Sequence, residues 1–281
     1  MMPIQTLATD LDGTLIPIDD SIRLKNALET LRETLAVEQL ELLYVSGRSW
    51  KLVREAIDKH KLPLPDAAIC DVGTTVLIPA ENDSDTGDNG DSDREGSIPN
   101  YQISEDYAQR LRQILRGWKA SDVLGQIDAL GPAIWPQPQD CQSEFKISFF
   151  FELANQEHVC GKVRSWINDS GAPVSIVVSK QIDGPLGLID VLPKGVHKGF
   201  ALRWWLEHHD RPLEAAVYCG DSGNDSAAMN CGVNGVVVAN ADHHLRSAME
   251  ALDSPSIYFA VEPSTAGVLE GLLHFSEISL A

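Results

Sequence analysis

The feature that most constrains this chain is a repeated hand-over from a short apolar run to an acidic or hydroxyl-bearing loop. Ile4 to Thr9 is such a run, and it stops at Asp10-Leu11-Asp12-Gly13-Thr14. It is too short for a helix and has the form of a buried strand closed by a turn. Ser21 to Leu35 then carries Ile22, Leu24, Leu28, Leu31 and Leu35 at helical spacing behind the capping candidates Asp20 and Ser21. Leu40 to Val45 is a second apolar run, followed at once by Ser46-Gly47-Arg48; Trp50 to His60 reads as a helix and Ala67 to Cys70 as a third strand. Strands alternating with helices predict a parallel α/β sheet, because parallel neighbours need a crossover and helices supply it. In such sheets ligands bind beyond the carboxyl ends of the strands, where Asp10 and Ser46 fall.

The rhythm is interrupted in the middle. After Val76-Leu77-Ile78, residues 81–97 are Asp, Glu, Gly, Ser, Asn and Thr with one basic residue, Arg94, and no apolar side chain, so the tract is expected to be disordered. From Tyr101 a helix is predicted to Trp118, then a strand near Lys146 to Glu152, a helix from Gln156 to Asp169, and strands near Val174 to Val178 and Leu188 to Leu192, an α+β unit. Beyond Lys198 the strand-and-helix rhythm returns, with a helix to His209, a strand from Ala215 to Cys219, a helix after Asp225 and a strand from Gly235 to Val238. Two domains are expected for 281 residues, the outer thirds sharing one sheet: a core of residues 1–79 and 194–281, and an inserted domain of residues 80–193.

The net charge of −19 excludes nucleic acid and an acidic membrane surface as main partners, since both repel a strongly anionic chain. Any anion site must therefore be built from specific residues. Five widely spaced cysteines without a CxxC pair fit reduced thiols better than a disulfide framework or zinc. With no basic and apolar leader at Met1 to Gln5 and no long apolar run, a cytoplasmic protein is expected.

Four constellations carry chemistry. In Asp10-Leu11-Asp12 two carboxylates two apart can leave a strand end on the same side, one to attack phosphorus and one to move a proton. Gly220-Asp221-Ser222-Gly223-Asn224-Asp225 follows a strand and clusters acids with no compensating base, a donor set suited to a hard cation such as Mg²⁺. Lys198, opening a helix in His197-Lys198-Gly199, can offset charge on a nucleophile and on phosphoryl oxygens. Ser46-Gly47-Arg48 offers a hydroxyl and backbone N–H groups to a phosphoryl oxygen. Each in isolation is compatible with a solvated turn or an exposed lysine; what binds them together is their order, each at a predicted strand end or helix start of one sheet.

These residues resemble the four motifs of the haloacid dehalogenase superfamily: DxDGT, a Ser after the second strand, a Lys, and GDxxND. The resemblance implies a Rossmann-like parallel-sheet core with an inserted α+β cap domain. It also implies Asp10 as nucleophile, Asp12 as acid and base, and Ser46 and Lys198 as phosphate ligands. Mg²⁺ would be held by the Asp10 carboxylate, the Asp12 backbone carbonyl and Asp221, with Asn224 and Asp225 supporting the metal or orienting Lys198. More narrowly, Ser46-Gly47-Arg48-Ser49, Phe145-Lys146-Ile147-Ser148, Ile189-Asp190-Val191-Leu192-Pro193, His197-Lys198-Gly199 and GDSGND resemble the sucrose-phosphate phosphatase family. That likeness implies four substrate-binding residues: Lys146 and Asp190 facing the sugar, and Arg48 and Thr74 near the junction of core and cap. It implies a small sugar phosphate as substrate, sucrose 6-phosphate first, with a related glycosyl phosphate (mannosylfructose phosphate or a glycosyl-phosphoglycerate) or a broad set of hexose phosphates as the alternative, and a functional link to a glycosyl-phosphate synthase. An inactive sugar-phosphate-sensing domain is the alternative of another class. The acidic tract and the long approach Lys180 to Leu188 depart from the family pattern in the inserted region.

Overall fold

The structure is a computed structural model that describes residues 2–80, 98–181 and 184–276. The acidic tract of residues 81–97 lies outside the described residues, as do two residues of the Lys180 to Leu188 stretch. The chain forms two compact units, Met1–Ser104 with Lys198–Ala281, and Glu105–His197.

The first unit begins with β1 (Thr6–Thr9), α1 (Ile22–Val37), β2 (Glu41–Val45), α2 (Trp50–His60), β3 (Ala67–Cys70), β4 (Thr75–Pro79) and β5 (Tyr101–Ile103). The second unit holds α3 (Glu105–Leu115), α4 (Ala120–Asp128), β6 (Ile134–Pro136), β7 (Ile147–Glu152), α5 (Gln156–Ser170), β8 (Val174–Lys180) and β9 (Leu186–Pro193). The first unit then resumes with α6 (Lys198–His208), β10 (Ala216–Gly220), α7 (Ser226–Met229), β11 (Asn234–Val237), α8 (His243–Glu250), β12 (Ile257–Phe259) and α9 (Ser264–Phe275).

In the first unit the strands lie in the order β12-β11-β10-β1-β2-β3-β4-β5. Pairing is parallel from β12 to β3 and antiparallel for β4 and β5. The chain starts at β1, moves outward through β2 and β3, and later returns to the other side of β1 through β10. Loops leaving β1 and β10 therefore diverge, which opens a crevice between them, the switch point of a doubly wound sheet. Register sharpens this: Thr9 pairs with both Tyr44 and Cys219, so Asp10, the residue after β1, lies level with Val45 and Gly220, the last residues of β2 and β10. Both sheet faces are covered, as parallel strands require. On one, Leu7, Leu42, Tyr44, Val217, Cys219 and Val236 share a buried cluster with Leu24, Leu28 and Leu31 of α1 and with Val268 and Leu272 of α9. The alternate positions, such as Ala8, Leu43 and Tyr218, are equally buried.

One local expectation fails. Tyr101 opens no helix: residues Tyr101–Ile103 pair with β4 as an antiparallel edge strand, and α3 begins only at Glu105. The tertiary reason is that Tyr101 packs on Trp50, tilted with ring centroids 4.5 Å apart, and donates its hydroxyl to the Pro65 carbonyl. Such contacts override helix propensity at a boundary.

In the second unit the four strands form an antiparallel sheet in the order β6-β7-β9-β8, against which α3, α4 and α5 pack. Strand alternation sends Ile147, Phe149 and Phe151 of β7 and Ile189 and Val191 of β9 into the core, leaving Ser148, Phe150 and Asp190 on the other face. Among the described residues, no helix is long and apolar enough to cross a membrane.

Candidate active site

Asp10 sits one residue past β1, 5% exposed, with its backbone N–H donated to Cys219 O at 2.9 Å. A wide turn over Leu11–Leu15 follows, in which Asp12 is extended and Gly13 is left-handed at φ +69°. Glycine is required there twice over: φ is positive, and a Cβ would come within 2.2 Å of Asp221 Oδ2. The turn is pinned from outside. Asn240 donates to Gly13 O at 2.7 Å, while Ser264 and Thr265 donate their hydroxyls to Ile16 O and Leu15 O at 2.9 and 2.7 Å.

Lys198 is the first residue of α6 and is 1% exposed. Its ammonium donates to Asp10 Oδ1 at 2.9 Å and to Asp225 Oδ1 at 2.7 Å. Gly199 lets α6 come this close, since a Cβ there would meet Ala227 O at 2.1 Å. Asp225 is saturated. Its Oδ1 also accepts the Tyr218 hydroxyl at 2.6 Å, and its Oδ2 accepts the backbone N–H groups of Asp221 and Ser222 at 3.1 and 3.0 Å. Asp221 receives a 3.3 Å bond from the Thr14 hydroxyl, which ties the two acidic loops together.

The electrostatics follow from counting charges. Asp10, Asp221 and Asp225 each bring an oxygen within 4.8 Å of the others, with a single ammonium among them. Burial, then the carboxylates of Asp225 and Asp221, push Asp10 up from 3.8 to about 7 against the opposing pull of Lys198. Burial and Asp225 likewise push Asp221 up to about 7. Burial opposes the charge on Lys198, but Asp10 and Asp225 outweigh it and hold its proton more tightly than usual. The cluster is thus short of positive charge, and a divalent cation fits it. Because five donors occupy Asp225, the Ser222 hydroxyl at 3.3 Å being the fifth, the carboxylates open to such an ion are Asp10 and Asp221.

Beside this cluster, Arg48 grips the Asp12 carboxylate with both arms, Nε to Oδ2 at 2.7 Å and one terminal nitrogen to Oδ1 at 2.5 Å. Ser46 is 1% exposed and accepts the Arg48 N–H at 3.2 Å. The Ser46 loop is fastened to the turn after β3, where Val72 N–H donates to Ser46 O and Asp71 N–H to Arg48 O. Asp71, Val72 and Gly73 are all left-handed there, at φ 54°, 60° and 96°. For a β-branched valine this is a true outlier, held by the surrounding bonds.

The structure thus draws Asp10, Lys198, Asp221 and Asp225 into one cluster and Asp12, Ser46 and Arg48 into a second group on the same loops. Thr74 is buried and spends its hydroxyl on Asp71 O at 2.9 Å. Asn224 is exposed and accepts from the Ser222 hydroxyl at 3.1 Å. Lys146 and Asp190 belong to the second unit. There Asp190 accepts the Ser148 hydroxyl at 2.6 Å across the β7–β9 ladder, and Lys146 is 6% exposed. Gln142 brackets Ser148, accepting its N–H at 2.8 Å and donating to its carbonyl at 2.9 Å. Sequence reading missed the Asp12–Arg48 clasp, Tyr218, Asn240 and Gln142. Only the direct succession of Ser46-Gly47-Arg48 on a strand hinted at the clasp; the others carry no local signal.

Comparison with known proteins agrees with this geometry. The chain matches the family described as sucrose-6F-phosphate phosphohydrolase over residues 3–89 and 96–276. It is 26% identical to sucrose-phosphatase 1 of Nicotiana tabacum over 96% of this chain, although it spans only 59% of that protein's length. It is 27% identical to the mannosylfructose-phosphate phosphatase of Agrobacterium fabrum, covering 98% of each chain. The sucrose-phosphatase of Synechocystis sp. PCC6803, solved in complex with sucrose and phosphate, superposes with a TM-score of 0.75 at 25% identity, covering 98% of each chain. A haloacid dehalogenase-like sheet with acids at its switch point and a family match that covers most of the sequence leave one placement: the chain belongs to the sucrose-6F-phosphate phosphohydrolase family, phosphatases of the haloacid dehalogenase fold.

Proposed function

We propose that this chain is a magnesium-dependent sugar-phosphate phosphatase that hydrolyses sucrose 6-phosphate through an aspartyl-phosphate at Asp10. The observation that carries the reading is the 2.9 Å contact from the buried Lys198 ammonium to Asp10 Oδ1 inside a cluster of three carboxylates. A nucleophilic carboxylate must be ionised and aimed; Lys198 aims Asp10 and pulls it toward the ionised form against burial and the neighbouring carboxylates. Asp10 Oδ2 attacks phosphorus, the sugar oxygen departs, and the Asp12 carboxyl supplies its proton. Asp12 then takes a proton from water, which attacks the phosphoaspartate and frees Asp10. Arg48 fixes the Asp12 rotamer through two bonds, and Ser46 and Lys198 hold phosphoryl oxygens. Asp10, Asp221 and the Asp12 carbonyl would hold Mg²⁺, which when bound would neutralise charge on the transferring phosphoryl group.

The second unit, with Lys146 and Asp190, is assigned sugar recognition. The Synechocystis relative, solved with sucrose and phosphate, favours sucrose 6-phosphate, and the Agrobacterium relative makes mannosylfructose phosphate the competing substrate. A glycosyl-phosphate synthase is the class of enzyme that supplies either compound. The test is a phosphate-release panel of sucrose 6-phosphate, mannosylfructose phosphate, glycosyl-phosphoglycerates and hexose phosphates, with and without Mg²⁺. A dominant, magnesium-dependent rate on sucrose 6-phosphate, lost in Asp10→Asn, is expected. Comparable low rates on every member would refute a dedicated enzyme, and turnover by pure Asp10→Asn protein would refute the covalent step.

A further inference from the structure

Tyr218 lies on β10 and is fully buried, yet its hydroxyl is not spent on the backbone. A buried phenol needs a partner, and here the partner is Asp225 Oδ1 at 2.6 Å, the same oxygen that receives Lys198 at 2.7 Å. A carboxylate oxygen accepts two good hydrogen bonds. Asp225 Oδ2 already takes two backbone N–H groups, so the carboxylate cannot turn, and on Oδ1 the tyrosine leaves the ammonium one place. From that place Nζ reaches Asp10 Oδ1 at 2.9 Å.

We propose that Tyr218 is a positioning residue: by filling the second acceptor site of Asp225 Oδ1 it confines the Lys198 ammonium to the direction of Asp10 and of a phosphoryl group bound there. The inference rests on the roles assigned above to Asp10 and Lys198. Without the hydroxyl, Oδ1 regains an open lone pair, and the flexible lysine gains a wider arc over Asp225 that does not include Asp10.

The test compares Tyr218→Phe, which keeps the ring, with Tyr218→Leu, which does not. Loss of aim acts in the transition state more than in binding, so kcat should fall about tenfold in both variants with KM within about twofold of the unaltered enzyme. In parallel, the ¹⁵N resonance of the Lys198 ammonium, identified by its loss in Lys198→Met, should shift and broaden in Tyr218→Phe. A Phe variant with kcat within twofold of the parent overturns the proposal, as does an unchanged ammonium resonance. If the parent protein itself releases no phosphate from any sugar phosphate, the phosphatase reading fails instead, and the resonance alone decides whether Tyr218 positions Lys198.

Discussion

Replacing Lys198 with Met tests whether the centre of this site is governed by charge or by packing. The side chain is 1% exposed and donates to Asp10 at 2.9 Å and Asp225 at 2.7 Å, so its removal leaves three clustered carboxylates with no cation. Met fills much of the same volume with a flexible apolar chain. Removing one partner of a buried ion pair costs roughly 3–5 kcal/mol. At roughly 2–4 °C per kcal/mol for a unit of this size, Tm should fall on the order of 10 °C. The penalty must also depend on pH. In metal-free protein Asp10 is pushed from 3.8 to about 7 by burial, so the folded state holds that proton better than the unfolded chain. Stability is therefore lost as pH rises through the window from about 4 to about 7. Without Lys198 the folded value rises further and the loss continues to higher pH. The gap between the two proteins should be narrowest near pH 5 and widest near pH 8, and millimolar Mg²⁺ should narrow it, because three carboxylates without an ammonium bind the cation more tightly than the parent cluster does. Thermal melts at pH 5, 6.5 and 8, with EDTA or MgCl₂, measure this. Equal gaps at pH 5 and pH 8 would show that the cost is lost packing, and the electrostatic reasoning would fail.

Two further substitutions probe the loops. Gly13→Ala places a Cβ within 2.2 Å of Asp221 Oδ2 at φ +69°, so Asp221 must move; magnesium affinity, read by calorimetry, should weaken at least about tenfold while the far-UV circular dichroism is kept. Arg48→Lys exchanges a two-armed grip on Asp12 for a single ammonium at a pair whose side chains are 32% and 44% exposed. Stability should change by less than about 1 kcal/mol, as for other exposed pairs, while kcat/KM falls about tenfold; an unchanged kcat/KM would reduce the clasp to a surface ion pair.

The amino-acid sequence by itself determined the parallel half of the sheet and pointed to most of the candidate site residues. Short apolar runs ending in Asp10, Ser46 and Gly220-Asp221 leave little choice, because a buried strand must surrender its chain to a loop at the carboxyl edge and that loop carries the chemistry. What lay outside local reach is where bonds cross long separations. Tyr101 looks like the start of a helix until Trp50 and Pro65, far away in sequence, claim it for an edge strand. Asp225 reads as a support for the metal or as a holder of Lys198, and only the folded chain brings Lys198, Tyr218 and two backbone N–H groups onto its two oxygens. Arg48 reads as a substrate contact, and its grip on Asp12 across 36 residues is visible only in the folded chain. Hydrophobic periodicity is a local signal and survives in the sequence; the pairing of a particular donor with a particular acceptor depends on sheet order and register, which exist only once the chain has folded.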